Sequence, residues 1–196
     1  PANASQKTAA DFCDKLGKPR TIAELTKERL RRAGTKIAAE NPEKSLDTGF
    51  RVYKLATSNL KPWNPPVAAS REELELALKG AIDNILPDRT EEDLLVELLL
   101  KTGIDLTLPM ATRTVAGRAV HALGGGVLIV TLGEVTDADA EALGEGIADW
   151  QTELDPVRAT TFYFRDSGFK TAAAKANVAG IIRQRLGARV ERLASI

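Results

Sequence analysis

The residue types that most suggest chemistry in this chain are at residues 64–67, with the sequence Asn-Pro-Pro-Val. Enzymes that methylate an amino group on a flipped-out base hold the amine with a polar side chain and a proline carbonyl, and stack an aromatic ring on the base. Val67 cannot supply that ring, no apolar strand leads into the tetrad, and no Phe-x-Gly-x-Gly cofactor loop occurs in the chain. A proline-rich linker is the favoured interpretation, so we predict no catalytic or cofactor-binding residue here.

Other clusters with chemical potential have simpler structural interpretations. The three glycines at residues 124–126 lie between two predicted strands and lack the Lys-Ser/Thr that follows a phosphate-binding loop. One histidine, His121, and one cysteine, Cys13, cannot make the usual zinc site, so we predict no metal. Arg165 and Asp166 follow a predicted strand and would be the residues of a stand-alone enzyme, although an ion pair within the chain is the favoured interpretation.

A predicted helix at residues 22–40 carries the candidate contacts with nucleic acid. Three of its cations are spaced i, i+3 and i+7, which makes them neighbours on the helix surface and able to contact phosphates. The alternative is a solvated helix face on which Glu28 pairs with Arg32 and Glu24 pairs with Lys27. The candidate DNA-backbone contacts are Lys27, Arg29, Arg32 and Lys36.

Charge divides the chain into two unlike parts. Residues 1–62 contain 13 Lys and Arg against 7 Asp and Glu, whereas residues 63–196 contain 14 against 20. A basic part suits a phosphate-facing surface and an acidic part does not. No apolar run approaches the roughly 20 residues needed to span a bilayer, and the first residues have no secretion-signal pattern. We therefore expect a cytoplasmic protein without membrane contact.

The same boundary separates two predicted domains. Residues 1–62 contain a short helix near 9–16, the helix at 22–40, which starts at a capping Thr21 and has one apolar face expected to pack, and a strand at 49–55. Helix followed by strand is half of an α/β unit. Three prolines within residues 61–69 then predict a linker.

The second domain, residues 63–196, is predicted to be a small α+β domain with a three- to five-stranded mixed sheet. Its helices are predicted at about residues 70–86, 90–102, 136–154 and 171–186. Its strands are predicted at 104–108, in a hairpin over 114–132 that turns on the three glycines, at 160–164 and at 189–193. The second helix contains six apolar residues among the eight at 93–100. Leu95 and Leu99 therefore belong either to the core or to an interface between chains, and we expect a dimer.

Several blocks of the sequence together resemble a known family. The blocks are residues 10–13, 21–33, 49–63, 93–106, 112–117, 124–126 and 164–169, and they extend over nearly the whole chain. In combination they are similar to the carboxyl-terminal region of the Mod subunit of type III restriction-modification DNA methyltransferases, which are specific for adenine N6.

The resemblance implies a fold and a role. Residues 1–62 would be the last helix and strand of a Rossmann-like methyltransferase domain, and residues 63–196 the carboxyl-terminal domain of a longer protein. In that family a Mod homodimer uses S-adenosylmethionine, recognises DNA through a separate domain and joins an ATP-dependent Res subunit. This chain lacks the cofactor and catalytic motifs. The expected role is structural support, dimerisation or contact with Res, together with DNA-backbone contact; an independent nucleic-acid-binding module and a stand-alone enzyme remain alternatives.

Overall fold

The computed structural model describes residues 4–62, 70–75 and 84–196. The chain divides into two compact units, Pro1–Ala56 and Thr57–Ile196, which are called the N-terminal unit and the C-terminal unit below. None of the described helices is long and apolar enough to cross a membrane.

Two helices form the regular structure of the N-terminal unit. Helix α1 is Ala4–Lys15, which starts earlier than predicted, and α2 is Ile22–Glu40, as predicted. Helix α2 begins where expected because Thr21 accepts a hydrogen bond from the Glu24 N–H at 3.3 Å and so satisfies one of the free donors of the first turn.

The predicted strand at residues 49–55 is wrong. Residues 45–58 form neither helix nor strand. A strand is stabilised by backbone hydrogen bonds to a neighbouring strand, and the described part of the N-terminal unit contains none to pair with. The side chains of Phe50, Val52 and Leu55 are accordingly exposed.

The apolar face of α2 was also expected to pack, but the described residues of the N-terminal unit leave much of it uncovered. Ile22, Leu30 and Ile37 on that face are 82%, 46% and 47% exposed. The described residues of the N-terminal unit offer only the short helix α1 and an irregular segment, which is too little apolar surface to cover both sides of a 19-residue helix.

A five-stranded mixed sheet organises the C-terminal unit. Its strands are β1 (Met110–Val115), β2 (Arg118–Leu123), β3 (Leu128–Thr131), β4 (Thr160–Phe164) and β5 (Val190–Ser195). They lie side by side in chain order; the first three are antiparallel, and β3, β4 and β5 are parallel. The predicted mixed sheet is confirmed. The turn between β2 and β3 uses the three glycines at residues 124–126, whose φ angles of 57°, 69° and 95° are unfavourable for other residues.

Three helices cover the two faces of the sheet. They are α3 (Glu91–Thr102), α4 (Asp137–Leu154) and α5 (Ala172–Leu186). Each agrees with its prediction to within one residue, because a threonine serves as the N-cap just before the helix. Helices α4 and α5 bury one face of the sheet, including Ile129 and Phe162, and α3 buries the other, including Leu128 and Val130. Strand β3 is buried along its whole length because both of its faces are covered.

Three elements of the C-terminal unit differ from prediction. The hairpin predicted over 114–132 contains a further turn at Ala116 and Gly117, so strand β1 as a separate strand was missed. Residues 104–108 are not a strand, because the Asp105 carboxylate accepts hydrogen bonds from the Thr107 N–H and hydroxyl and holds a turn. The predicted helix at 70–86 is described only in part: residues 71–75 are helical and residues 76–83 lie outside the described residues. Its predicted end is wrong, since Ile85 forms a β-bridge with Leu60 instead.

Two glycines within α4 permit close packing. A Cβ atom on Gly144 would lie 3.1 Å from the Ile181 side chain of α5, and one on Gly146 would lie 2.4 Å from Val115 of β1. Both glycines are therefore structural, and they allow α4 to approach its neighbours closely.

Candidate functional site

Two of the four candidate DNA-contacting cations on α2 are held by carboxylates of the same helix. Lys27 Nζ lies 2.6 Å from Glu24, and Arg32 Nε lies 2.8 Å from Glu28. The Arg32 guanidinium also lies over the Phe12 ring of α1, 4.9 Å from its centroid. The two predicted ion pairs are thus confirmed, and these cations have partners within the N-terminal unit.

The other two candidates, Arg29 and Lys36, are less constrained by ion pairs and freer to contact DNA. Arg29 and Lys36 are separated by seven residues and so lie on one side of α2. Lys36 reaches Glu40 only at 3.7 Å, with both side chains largely exposed. Arg29 is exposed and has no ion pair among the described residues. Leu30 and Ile37 are exposed too, but they lie roughly 100° around the helix from Arg29 and Lys36, so α2 exposes a cationic side and an adjacent apolar side.

The two candidate interface leucines lie in the core. Leu95 and Leu99 are 2% and 3% exposed, and they pack from α3 against the sheet. The sequence left core and interface open, and the structure places both leucines where another chain cannot contact them. The leucine of α3 that faces solvent is Leu100.

The partly buried carboxylate of Glu97 connects α3 to the start of the C-terminal unit. Its two oxygens accept hydrogen bonds from the Ser58 hydroxyl at 2.5 Å and the Asn59 N–H at 2.6 Å, and Lys101 lies at 2.8 Å. The Asn59 amide also donates to the Asp93 carbonyl at 2.9 Å. Residues 58 and 59 are therefore fixed to α3 by side-chain and backbone bonds, and we call this group the Glu97 clamp.

The hydrogen bonds of the clamp change the acidity of its carboxyl group. Burial alone would raise the pKa of Glu97, but the hydrogen bonds from Lys101, Ser58 and the Asn59 N–H outweigh it and lower the pKa to about 2. Sequence reasoning missed this contact. Its signal was the single charged residue within the otherwise apolar stretch 94–100, which needs polar partners wherever the helix is buried.

The cluster suggested for a stand-alone enzyme is occupied by structural contacts. Arg165 Nε donates to the Ser167 hydroxyl at 2.9 Å. Asp166 pairs with Lys175 of α5, and that bond lowers the pKa of the Asp166 carboxyl group. An ion pair within the chain was the favoured interpretation and is present, although Lys175 is the partner.

His121 likewise has a structural environment. Its Nδ1 is 3.0 Å from the Thr112 hydroxyl on the paired strand, and its Nε2 is 3.9 Å from the Glu91 carboxylate. Burial lowers the pKa of His121, and the charges of Glu91 and Glu92 offset part of that effect.

An open groove of about 360 Å³ lies beside strand β5. Its walls are helix α5 and the strands β4 and β5, and its surface is mainly apolar, with Phe164, Phe169 and Leu193 among the lining residues. Lys175 and Arg183 of α5 line it too. No sequence motif predicted this groove, because its walls come from three separate elements.

Residues 64–67, the tetrad discussed above, lie outside the described residues. In the ranges that are described, no group of three or more His, Cys, Asp or Glu side chains is placed to hold a metal ion. Compared with known proteins, the chain matches no family model, no curated protein and no solved structure.

Proposed function

We propose that this chain is a structural and interaction region of a type III restriction-modification DNA adenine-N6 methyltransferase, a Mod subunit, and is not catalytic alone. The resemblance of its sequence blocks to that family suggests the system. The proposal implies S-adenosylmethionine as the cofactor of the whole enzyme, a Mod homodimer and the Res subunit as partners, and a cytoplasmic location where DNA is available.

The observation that carries the proposal is the exposed apolar surface of the N-terminal unit. Eight of the twelve large hydrophobic side chains that are exposed in the described residues lie between Ile22 and Leu55. A concentration of exposed apolar side chains costs free energy in water and commonly marks a surface that another protein region covers.

The type of covering surface follows from the elements that are exposed. Helix α2 is amphipathic and the segment after it carries apolar side chains without any strand partner. A sheet with a free edge strand would pair with the segment after α2, and an apolar face of the same sheet would bury the helix. The sheet of a Rossmann-like methyltransferase domain has these properties, which is why we assign the N-terminal unit to such a domain.

Reconstitution with a separate catalytic region tests this proposal. The methyltransferase region of a type III Mod protein, ending before the part that resembles this chain, is co-expressed with the chain as a second polypeptide. We expect the two to co-purify and to bind S-adenosylmethionine together, whereas the chain alone gives no heat of binding in calorimetric titration with the cofactor.

Variants on α2 supply the matched control. Leu30→Asp places a charge in the proposed contact and should abolish co-purification, while Thr35→Asp, at an exposed position away from Leu30, should not. Micromolar binding of the cofactor by the chain alone, or equal co-purification of both variants, would contradict the proposal.

Weak contact with the DNA backbone is a second candidate activity. The specific observation in its favour is the exposure of Arg29 and Lys36 on one side of α2. Two cations are a small surface for phosphate recognition, so this contact would support binding by the whole enzyme.

A further inference from the structure

Among the described residues, no strand pairs with the outer edge of β5. Strand β5 is last in the sheet order, and its partner within the described residues is β4. Just after the strand, Ile196 donates to the Phe164 carbonyl and accepts from the Asp166 N–H, both at 3.0 Å. Because backbone groups alternate between the two sides of a strand, Leu193 and Ser195 direct their N–H and C=O groups away from β4.

The same two residues line the groove beside α5. Leu193 and Ser195 share it with Phe164 and Phe169, and the α5 wall includes the small side chains of Ala176 and Ala179, which leave room between helix and strand. A volume of about 360 Å³ is enough for two or three aliphatic side chains. An unpaired strand edge thus adjoins a mainly apolar groove along one side.

The cations at the two ends of the groove differ in whether an anion already pairs with them. Lys175 and Arg183 are eight residues apart on α5, which corresponds to roughly 12 Å. Lys175 is paired with Asp166 and lies 3.2 Å from the Ser195 hydroxyl. Arg183 is exposed and has no ion pair in the part of the chain that the structure describes. A ligand carboxylate is therefore favoured at the Arg183 end.

We propose that this groove binds an extended peptide of a partner protein, which pairs with β5 as a sixth strand. The apolar side chains of the peptide, at alternate positions, would occupy the groove, and an acidic residue would pair with Arg183. The unpaired backbone is the reason for choosing a peptide, because a small apolar anion would satisfy Arg183 and leave the Leu193 and Ser195 groups unpaired. This inference does not depend on the methyltransferase proposal.

Titration of the full chain with synthetic peptides tests the inference. The probes are acetyl-Val-Thr-Val-Thr-Val-Asp-amide and the reverse sequence, so that both strand directions are sampled, added up to millimolar concentration. Amide NMR signals of Leu193, Ser195 and Ala179 should shift with one of the two, and hydrogen exchange at Leu193 and Ser195 should slow at least fivefold. A version of the same peptide methylated on alternate backbone nitrogens should bind at least tenfold more weakly.

Variants of the chain test the charge separately. Arg183→Gln should weaken binding of the acidic peptide at least threefold, and Arg158→Gln, at an exposed arginine that does not line the groove, should leave it unchanged. Replacing the aspartate of the peptide with asparagine should have the same effect as Arg183→Gln.

Four outcomes would overturn the inference. They are the absence of shifts at Leu193 and Ser195 at millimolar peptide, equal binding of the methylated peptide, binding that is indifferent to Arg183, and displacement of the peptide by a second copy of the chain in sedimentation experiments. Binding of octanoate at the groove without slower exchange at Leu193 and Ser195, combined with no peptide effect, would identify a small-molecule site instead.

Discussion

Helices α2 and α3 both carry aliphatic side chains at helical spacing, but the surroundings of these side chains differ. Helix α3 lies in the C-terminal unit, where Leu95 and Leu99 pack against a sheet that is covered on its other face by α4 and α5. Helix α2 lies in the N-terminal unit, where Leu30 and Ile37 face solvent. Periodicity predicts that a helix has an apolar face, but it does not identify the surface that buries it. The contrast suggests that the N-terminal unit is covered by another polypeptide region.

The largest expected effect is the loss of stability when a buried leucine of α3 is truncated, compared with the same change at an exposed leucine of α2. Leu95→Ala should lower the free energy of unfolding by about 2–5 kcal/mol, because it leaves a cavity between α3 and the sheet. Leu30→Ala makes the same chemical change on α2 and should alter stability by less than about 0.5 kcal/mol, because the side chain is already solvated. Urea unfolding followed by circular dichroism measures both. Similar losses for the two variants would mean that α2 is buried in solution by some contact of its own.

The elements that could be predicted from the sequence are those with local causes. The caps Thr21, Thr90, Thr136 and Thr171 fix helix starts through bonds to residues three positions later, so α2, α3, α4 and α5 were predicted correctly. The strand at 160–164 was correct as well, because its alternating burial repeats every two residues.

The failures have two causes, one non-local and one local. The strand predicted at 49–55 has the right residue types, but strand formation requires a partner whose presence the local sequence does not reveal. At 104–108 the alternating apolar residues predicted a strand. The Thr107 N–H instead donates to the Asp105 carboxylate, and this local bond holds a turn. The Glu97 clamp joins residues 38 and 39 positions apart, and the groove beside β5 joins three elements, so neither could be derived from spacing.

Glycines in the C-terminal unit test how tightly it is packed. Gly146→Ala should destabilise the chain by about 1–3 kcal/mol, because the new methyl group would overlap Val115 and force α4 from β1. Gly180→Ala on α5 is the matched control: no atom lies within 4 Å of the added Cβ, so the helix should gain about 0.5–1 kcal/mol. Thermal unfolding of both variants measures the difference. Equal stabilisation by both would show that α4 is packed more loosely than the structure indicates.

The Glu97 clamp predicts a pH dependence of stability. The pKa of Glu97 is lowered to about 2 in the folded chain, so its contribution is fully present above the ordinary value of 4.5 and is lost as pH falls from there towards about 2. Glu97→Gln should cost about 1–2 kcal/mol at pH 7, with allowance for solvent screening, and this difference should shrink as the pH is lowered.

The control for the clamp is Glu141→Gln, at an exposed glutamate of α4 that has no ion pair among the described residues, which should leave both stability and its pH dependence nearly unchanged. Urea unfolding between pH 7 and pH 3 measures both variants. A constant penalty for Glu97→Gln across this range would indicate that shape, and not the charge of the carboxylate, holds residues 58 and 59 against α3.

The smallest expected effect is on DNA binding. It compares a closely paired cation of α2 with two that are not closely paired. We expect the chain to bind duplex DNA weakly and without sequence preference at low salt, because contacts between Lys or Arg and phosphates carry no sequence information. Replacing Arg29 and Lys36 with Gln should reduce the slope of log K against log salt by about 2, because each phosphate contact contributes about 0.9.

Lys27→Gln provides the comparison, because Lys27 is held 2.6 Å from Glu24 and should contribute little to the slope. Fluorescence anisotropy at several salt concentrations measures all three proteins. If the double variant and Lys27→Gln have equal slopes, the exposed cations of α2 have no special role and the charge of the N-terminal unit acts only as a diffuse field. If no binding occurs even at low salt, the exposed surface of α2 is better explained as protein-contacting surface, which would strengthen its assignment to a covered helix.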